Sequence, residues 1–467
     1  MTPPTPRRTP TGPTTPTAST PTLVPPTATP TKPTRSFAGH AGPAGPEGAA
    51  GPEGAAEPGE PPEPAREALG RCVDDPAAFL TTSFGVDPQL RRSTGSFEDL
   101  LSLDDVDRAI TGSGLRQPAF RLVRDGEPVD PPSYTRPART GSRHFADLID
   151  PGRVLELFAA GATVVLQSLH RWWPPLARFC RDLELALGHP LQANAYLTPP
   201  GAAGLAPHHD THDVFVLQVA GTKHWILRTP VVAAPLAHHR SVHELAAAQP
   251  VLFETDLRPG DVLYLPRGVV HSAAAQEGTS LHLTLGVLAT TVHDVLRRAV
   301  DRAGDDPAFR TSLPAGYPFD RAAAARSVKA ALADLITWLE RLDPSDVADE
   351  MSERFFARRT PLLDGQLAEI TALDRIDDTT VVRPRARGDV AVRRLKDGGR
   401  LHLTLGDRRL ILPGALEPTV RRLLDGGPVR VGDLAELLDD DSRLVLVRRL
   451  VREGVLRTGT GTGSTSD

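Results

Sequence analysis

The sequence predicts an α+β chain: an antiparallel β-sandwich or barrel, then a helical region, then a small C-terminal unit of hairpin and helices. Three observations carry this expectation. Between residues 162 and 288 lie several short, apolar-rich runs separated by Pro and Gly turns, the pattern of an all-β layer. Beyond residue 290 the apolar spacing changes to that of amphipathic helices. From about residue 375 a hairpin-like GRLHLTLGDRRLIL precedes three short helical stretches, the composition of a winged helix.

Residues 1–64 form a low-complexity tail. Its Thr/Pro tract has no core to bury, and Gly42, Gly45, Gly48, Gly51 and Gly54 give five collagen-like triplets, too few to hold a triple helix without an enforced trimer. From residue 65 the chain reads as globular. REALGRCVDDPAAFL opens with helical spacing, ATVVLQSLH (162–170) reads as a strand, and PPLARFCRDLELALG (174–188) as a helix closed by Gly188. The expected strands that follow are LQANAYLT, DVFVLQVAG, KHWILR, DVLYLP and SLHLTLGVL. VHDVLRRAVDRA, AAAARSVKAALADLITWLERL and SDVADEMSERFFARR supply the helical region.

Composition excludes several classes. A net charge of −5 gives no global pull towards nucleic acid or an anionic membrane. Two distant cysteines, Cys72 and Cys180, rule out a disulfide framework and fit a reduced compartment. No run of 18 apolar residues occurs, and Arg7 and Arg8 precede no apolar signal region, so a cytoplasmic location is expected. Only four lysines (Lys32, Lys223, Lys329, Lys396) stand among 53 basic residues, which singles out Lys223 inside a strand.

The chemistry sits in APHHDTHDVFVLQVAGTKHW. In a strand, residues i and i+2 share a face, so His208 and Asp210 can grip one ion together. GDVLYLPRGVVHSA supplies His271 as a third ligand from elsewhere in the barrel. Two imidazoles and one carboxylate leave open positions on an octahedral ion, the facial triad of non-haem Fe(II) oxygenases, whereas zinc favours a closed tetrahedral set or one catalytic water. His209 lies on the opposite face. A His209–Asp213 pair would need a helix where VFVLQV is strand-like. His212 and His224 read as solvent or packing residues.

With these residues in place, NAYLTPPG, APHHDTHDVFVLQVAGTKHWIL, PGDVLYLPRGVVHSA and SLHLTLGV resemble the ribosomal-oxygenase branch of the JmjC (cupin-4) family. The resemblance implies a double-stranded β-helix (jelly roll) over 65–290, a helical dimerisation domain over 291–372 and a winged-helix-like domain over 373–460. It also implies Fe(II) held by His208, Asp210 and His271, with 2-oxoglutarate as cosubstrate and O₂ as oxidant. Lys223 falls where the family places the basic residue for the distal 2-oxoglutarate carboxylate; some bacterial relatives carry arginine there. By the same analogy Asn194 hydrogen-bonds the cosubstrate and Tyr196 lines the peptide groove. His282 and Thr284 share one strand face and are candidates for orienting ligands or cosubstrate.

The function the resemblance implies is hydroxylation of a protein side chain, histidine or arginine of a ribosomal protein, by a homodimer; histone demethylation has also been claimed for some members of that family. A cupin sensor fused to a DNA-binding winged helix is the competing reading. Residues 381–457 carry 17 basic and 11 acidic residues, only mildly basic, with RLVLVRRLVREG the one candidate recognition helix. A tailoring oxygenase for a small molecule or peptide natural product uses the same barrel.

Overall fold

The computed structural model describes residues 62–459 apart from Ser113, Ala203, Arg387, Lys396, Asp397 and Gly426. The Thr/Pro tract and the five glycine triplets lie outside the described residues. The first helix, Glu63–Cys72, begins two residues before the expected start of the globular part.

Among the described residues, thirteen strands precede residue 290: β1 (Gln89–Arg91), β2 (Phe120–Arg124), β3 (Glu127–Pro128), β4 (Thr135–Thr140), β5 (Arg143–Ile149), β6 (Thr163–Leu166), β7 (Leu191–Thr198), β8 (Asp213–Ala220), β9 (Lys223–Arg228), β10 (Val251–Leu257), β11 (Val262–Leu265), β12 (Val270–Ala275) and β13 (Ser280–Val287). Eight of them form one sheet in the order β1-β11-β8-β13-β7-β6-β2-β3, and β10-β9-β12 form a second. Residues of both sheets line one cavity, so the sheets face each other as the two halves of a jelly roll.

Side-chain alternation decides which face is which. In β13, Leu281, Leu283, Leu285 and Val287 pack outward into the main core, while His282, Thr284 and Gly286 line the cavity. β7 does the same: Ala193 and Ala195 face the core, and Asn194 and Tyr196 face the cavity. β8 is buried on both faces. Phe215, Leu217 and Val219 enter the main core, while Val214 and Val216 join Trp225, Leu227 and Leu263 between the sheets, so its sequence reads as a continuous apolar run. The turn from β8 to β9 requires Gly221. Its φ is 64°, and a Cβ there would lie 2.0 Å from the carbonyl oxygen of Thr279.

The helix Pro174–Leu187 lies beneath the sheet and ends at Gly188 in the left-handed region, φ 69°. It also anchors the C-terminal part. Arg181 pairs with Asp389, Arg359 with Glu184 (3.2 Å), and all four side chains are buried. Two cations and two anions balance, and Arg181 donates further to the Thr360 carbonyl (2.6 Å). Removing one member leaves a buried charge unpaired. Asp389→Ala is therefore expected to lower unfolding free energy by about 3–5 kcal/mol, read from urea denaturation. An unchanged midpoint and slope would show that the cluster holds nothing together.

After residue 290 come the helices Val292–Ala303, Arg321–Leu339 and Pro344–Ala357. The 19-residue helix Arg321–Leu339 buries none of its residues; Leu332 and Ile336 are more than half exposed. The C-terminal unit holds two three-stranded sheets, one of them built on the hairpin Arg400–Leu405/Arg408–Pro413, and the helices Glu417–Leu424 and Asp440–Arg452 around a separate apolar core. The middle of the three expected helical stretches is only the short 3₁₀ turn Val431–Leu434.

Candidate metal centre

One expectation about the ligand segment is corrected. His208 and Asp210 are not inside a regular strand, because pairing of β8 starts only at Asp213. His208 instead makes an isolated antiparallel bridge with His271: its N–H donates to the His271 carbonyl (3.1 Å), and the His271 N–H donates back (2.8 Å). This bridge brings the two imidazoles together, with ring centroids 4.5 Å apart. Asp210 is held by the Pro-Arg-Gly turn, whose Gly268 N–H donates to the Asp210 carbonyl (3.0 Å). One ligand atom from each of His208, Asp210 and His271 lies within 4.8 Å of the others, and His271 Nε2 is 3.7 Å from Asp210 Oδ2.

The donor atoms are prepared for a cation. His208 Nδ1 faces the Ala206 carbonyl (2.8 Å) and His271 Nδ1 faces the Val269 carbonyl (3.1 Å). A carbonyl only accepts, so each Nδ1 carries the proton and each Nε2 keeps a lone pair for a metal. Burial, with the neighbouring His208, pushes His271 down to about 4, so it is neutral at pH 7. Burial works to raise the Asp210 carboxyl, but the surrounding histidines, His271 first, hold it below the ordinary carboxylate value. A neutral His271 imidazole, an ionised Asp210 carboxylate and the His208 Nε2 turned to the same point make a donor set for a divalent first-row metal. His209 turns away: its N–H donates to Ser241 Oγ (3.0 Å), its Nε2 meets the His239 carbonyl (3.2 Å), and it does not line the cavity.

The cavity measures about 460 Å³ and contains the other expected residues. Lys223, the first residue of β9, is 2% exposed; its Nζ donates to Thr198 Oγ1 (3.0 Å). Burial alone pushes it down to about 7, and no carboxylate among the described residues pairs with it. A buried ammonium without a counter-ion fits an anionic group bound in the same cavity. Asn194 Oδ1 accepts from the Ser168 N–H (3.0 Å), which fixes its amide nitrogen as the free end. Tyr196 stands inside the cavity wall, stacked on His282 at 5.0 Å and nearly parallel, with Arg121 and Thr284 at its hydroxyl. His212 lies on the cavity wall as well, its Nε2 3.0 Å from Gln192 Nε2. His224, in contrast, is half-exposed beside Asp256.

Two cavity residues escaped the sequence reading. Trp225 packs between His271 and His282, at 6.0 and 5.5 Å, with its buried Nε1 unpartnered. Arg121 enters from β2, a strand whose FRLVR signature was not recognised. The alternation of KHWILR placed Lys223 and Trp225 on one face and could have found the first.

A comparison with known families matches residues 170–295 to the JmjC domain. Ribosomal oxygenase 2 of Mus musculus is 36% identical over 161 residues, 33% of this chain and 34% of that protein. The chain thus spans about a third of that relative's length. A protein of Dictyostelium discoideum named bifunctional lysine-specific demethylase and histidyl-hydroxylase NO66 is 27% identical over 66% of each chain. The X-ray structure of E. coli ycfD aligns over 83% of this chain and 99% of its own, at 16% identity and a TM-score of 0.50, a likeness of fold.

Proposed function

With residues 170–295 a JmjC domain similar to that of the ribosomal oxygenases, we propose that this chain is an Fe(II)- and 2-oxoglutarate-dependent dioxygenase that hydroxylates a side chain of a ribosomal protein. The observation that carries the reading is the pairing, in one cavity, of a His-Asp-His donor set with a buried, unpaired lysine. Bound iron and 2-oxoglutarate supply oxidation of a C–H bond by O₂, releasing succinate and carbon dioxide.

The chain's own residues bind and orient. His208, Asp210 and His271 would hold the metal. Lys223, its ammonium held by Thr198, would meet the distal carboxylate of 2-oxoglutarate, and the Asn194 amide nitrogen would donate to the cosubstrate. Trp225 and neutral His282 wall that end against water. Tyr196 and Arg121 face the substrate.

Histidine suits this cavity better than arginine as the substrate residue. A guanidinium offers five donors and no acceptor, whereas a neutral imidazole offers one of each. Arg121 and Trp225 Nε1 are donors. The lining carboxylates are Asp210, which would ligate the metal, and Glu127 on the exposed rim. The histidyl-hydroxylase name of the Dictyostelium relative supports the same choice.

The DNA-binding alternative loses support at the candidate recognition helix. Arg443 is buried against Asp378 (2.6 Å) and Asp440, Arg448 donates to the Ile376 carbonyl (2.7 Å), and Arg449 pairs with Glu453 (2.9 Å). These guanidinium groups are engaged within the fold rather than offered to phosphates. The C-terminal unit is read as a winged-helix-like domain over 373–460 and the helices of 291–372 as a dimerisation domain. Among the described residues no helix is long and apolar enough to cross a membrane, and the free cysteines fit a cytoplasmic setting.

The uncovered apolar face of Arg321–Leu339 supports a second copy of the chain as its partner. A homodimer is expected by light scattering, unchanged on removal of residues 1–61. A monodisperse monomer at micromolar concentration would remove the dimer. For the activity, intact masses of ribosomal proteins from a deletion strain are compared with those of its parent. The expected result is one protein lighter by one oxygen atom in the deletion strain. Identical masses with altered transcript levels would favour the regulator.

A further inference from the structure

A second cavity of about 400 Å³ lies between the start of the helix Val292–Ala303, the helix Pro344–Ala357 and the turn around residues 235–238. Four arginines line it: Arg267, Arg297, Arg354 and Arg358. Elsewhere on these two helices arginines are paired, Arg298 with Glu350 (3.7 Å) and Arg302 with Asp346 (3.4 Å) and Glu350. Arg297, Arg354 and Arg358 make no ion pair with any described residue, and Arg267, which pairs with buried Asp213 (3.4 Å), keeps a buried Nε without a partner. His238 and His293 add further donors. The one lining carboxylate, Asp294, accepts from the Thr291 N–H (2.9 Å) and hydroxyl (2.7 Å) as a helix cap and also feels Arg354, so it offsets one of these charges and leaves the others. The cationic surplus is therefore concentrated in a concave space, in a chain whose overall charge is −5.

We infer that this cavity is a binding site for a nucleotide phosphate. Guanidinium forks match phosphate oxygens bidentately, and one phosphate group places up to two charges within reach of several forks at once. Carboxylates of a peptide would deliver one charge each, spaced along a chain. The volume accommodates a nucleotide-sized anion, and half-buried Phe355 offers an aromatic wall for a base. His212 lines both this cavity and the metal cavity, so the anion would sit next to the oxidising centre. The inference rests on the charge distribution and stands whether or not the proposed oxygenase activity does.

The same phosphate can belong to a free nucleotide or to an RNA strand, and binding to the full-length protein separates the two. The anisotropy of a fluorescein-labelled oligouridylate is followed as salt is raised, with UMP and a poly-glutamate peptide of equal charge as competitors. Wild type is expected to bind. The double variant Arg297→Glu/Arg358→Glu is expected to lose at least tenfold in affinity. For a strand, its log–log salt dependence becomes shallower by about 1.4, two phosphate contacts at about 0.7 each. Arg136→Glu, at an exposed position that does not line this cavity, should bind as wild type, and the double variant should keep its 2-oxoglutarate turnover. Competition by UMP at concentrations near those of the oligonucleotide assigns the site to a free nucleotide; failure of UMP to compete assigns it to a strand. Equal affinity in wild type and double variant, no binding of either probe at low salt, or poly-glutamate competing as well as both would overturn the inference.

Discussion

Alanine in place of His208, Asp210 or His271 is expected to abolish 2-oxoglutarate turnover and metal binding while the chain stays folded; His209→Ala should keep most of both. The ligand substitutions delete donor atoms on the cavity wall, but the bridge between residues 208 and 271 is made by backbone groups and survives. Loss of a ligand's hydrogen-bonded partner alone typically weakens metal affinity by about 10- to 100-fold, so loss of a ligand should exceed that. Titration of the metal-stripped protein with Co(II), beside circular dichroism, separates lost binding from lost fold. An inactive His209→Ala with an active His208→Ala would shift the ligand assignment by one residue.

The second large effect concerns Lys223. A charge-assisted contact from an enclosed ammonium to a carboxylate contributes about 1.5–3 kcal/mol. Lys223→Ala is therefore expected to raise the 2-oxoglutarate requirement by about 10- to 150-fold, with each 1.36 kcal/mol a factor of ten. Lys223→Arg should be partly tolerated, since it keeps a cation at that position. The pH dependence has a definite sign. Burial lowers Lys223 from 10.5 to about 7 in the folded chain, so between about pH 7 and 10.5 the folded state binds fewer protons than the unfolded one. Stability in the absence of ligand should accordingly rise with pH across that window, and Lys223→Ala should flatten the rise. 2-Oxoglutarate affinity should fall as pH climbs through 7, because its cationic partner is then neutral. Unchanged affinity in Lys223→Ala would place the anion elsewhere.

The strands carrying strong alternation were legible before the structure. LQANAYLT and KHWILR have the bounds read from the sequence, and Gly188 closes its helix as expected. The strand that carries His271 was not read as one, because VHSAAA is alanine-rich and weak in β-propensity and is placed by pairing with β9. Strand β10 was missed for another reason: only Thr255 and Leu257 of its seven residues are buried, so it shows no apolar period. ATVVLQSLH was read too long. The strand stops at Leu166, and Ser168 adopts φ 56°, which turns its N–H onto Asn194. That contact belongs to two segments 26 residues apart and has no local signature.

Within the site, residue types and spacing carried the donor set, since ligands must be His or carboxylate and must face one way. The identities of the other cavity walls depended on sheet order. Arg121 becomes a cavity residue only because β2 lies beside β6, and the second cavity's arginines are surplus only when their helical neighbours are seen to be paired. Charge counted along the sequence cannot separate paired from unpaired guanidinium groups.

The most direct test of an iron oxygenase acting on a ribosomal protein is the origin of the added oxygen atom. Ribosomal proteins from a deletion strain are incubated with the iron-loaded chain and 2-oxoglutarate under isotopically heavy O₂. The expected result is one heavy oxygen atom on a single histidine, with succinate formed in equal amount and neither product from His271→Ala. Succinate formed with no ribosomal protein gaining an oxygen atom, or a gained atom of ordinary mass drawn from water, would contradict the account.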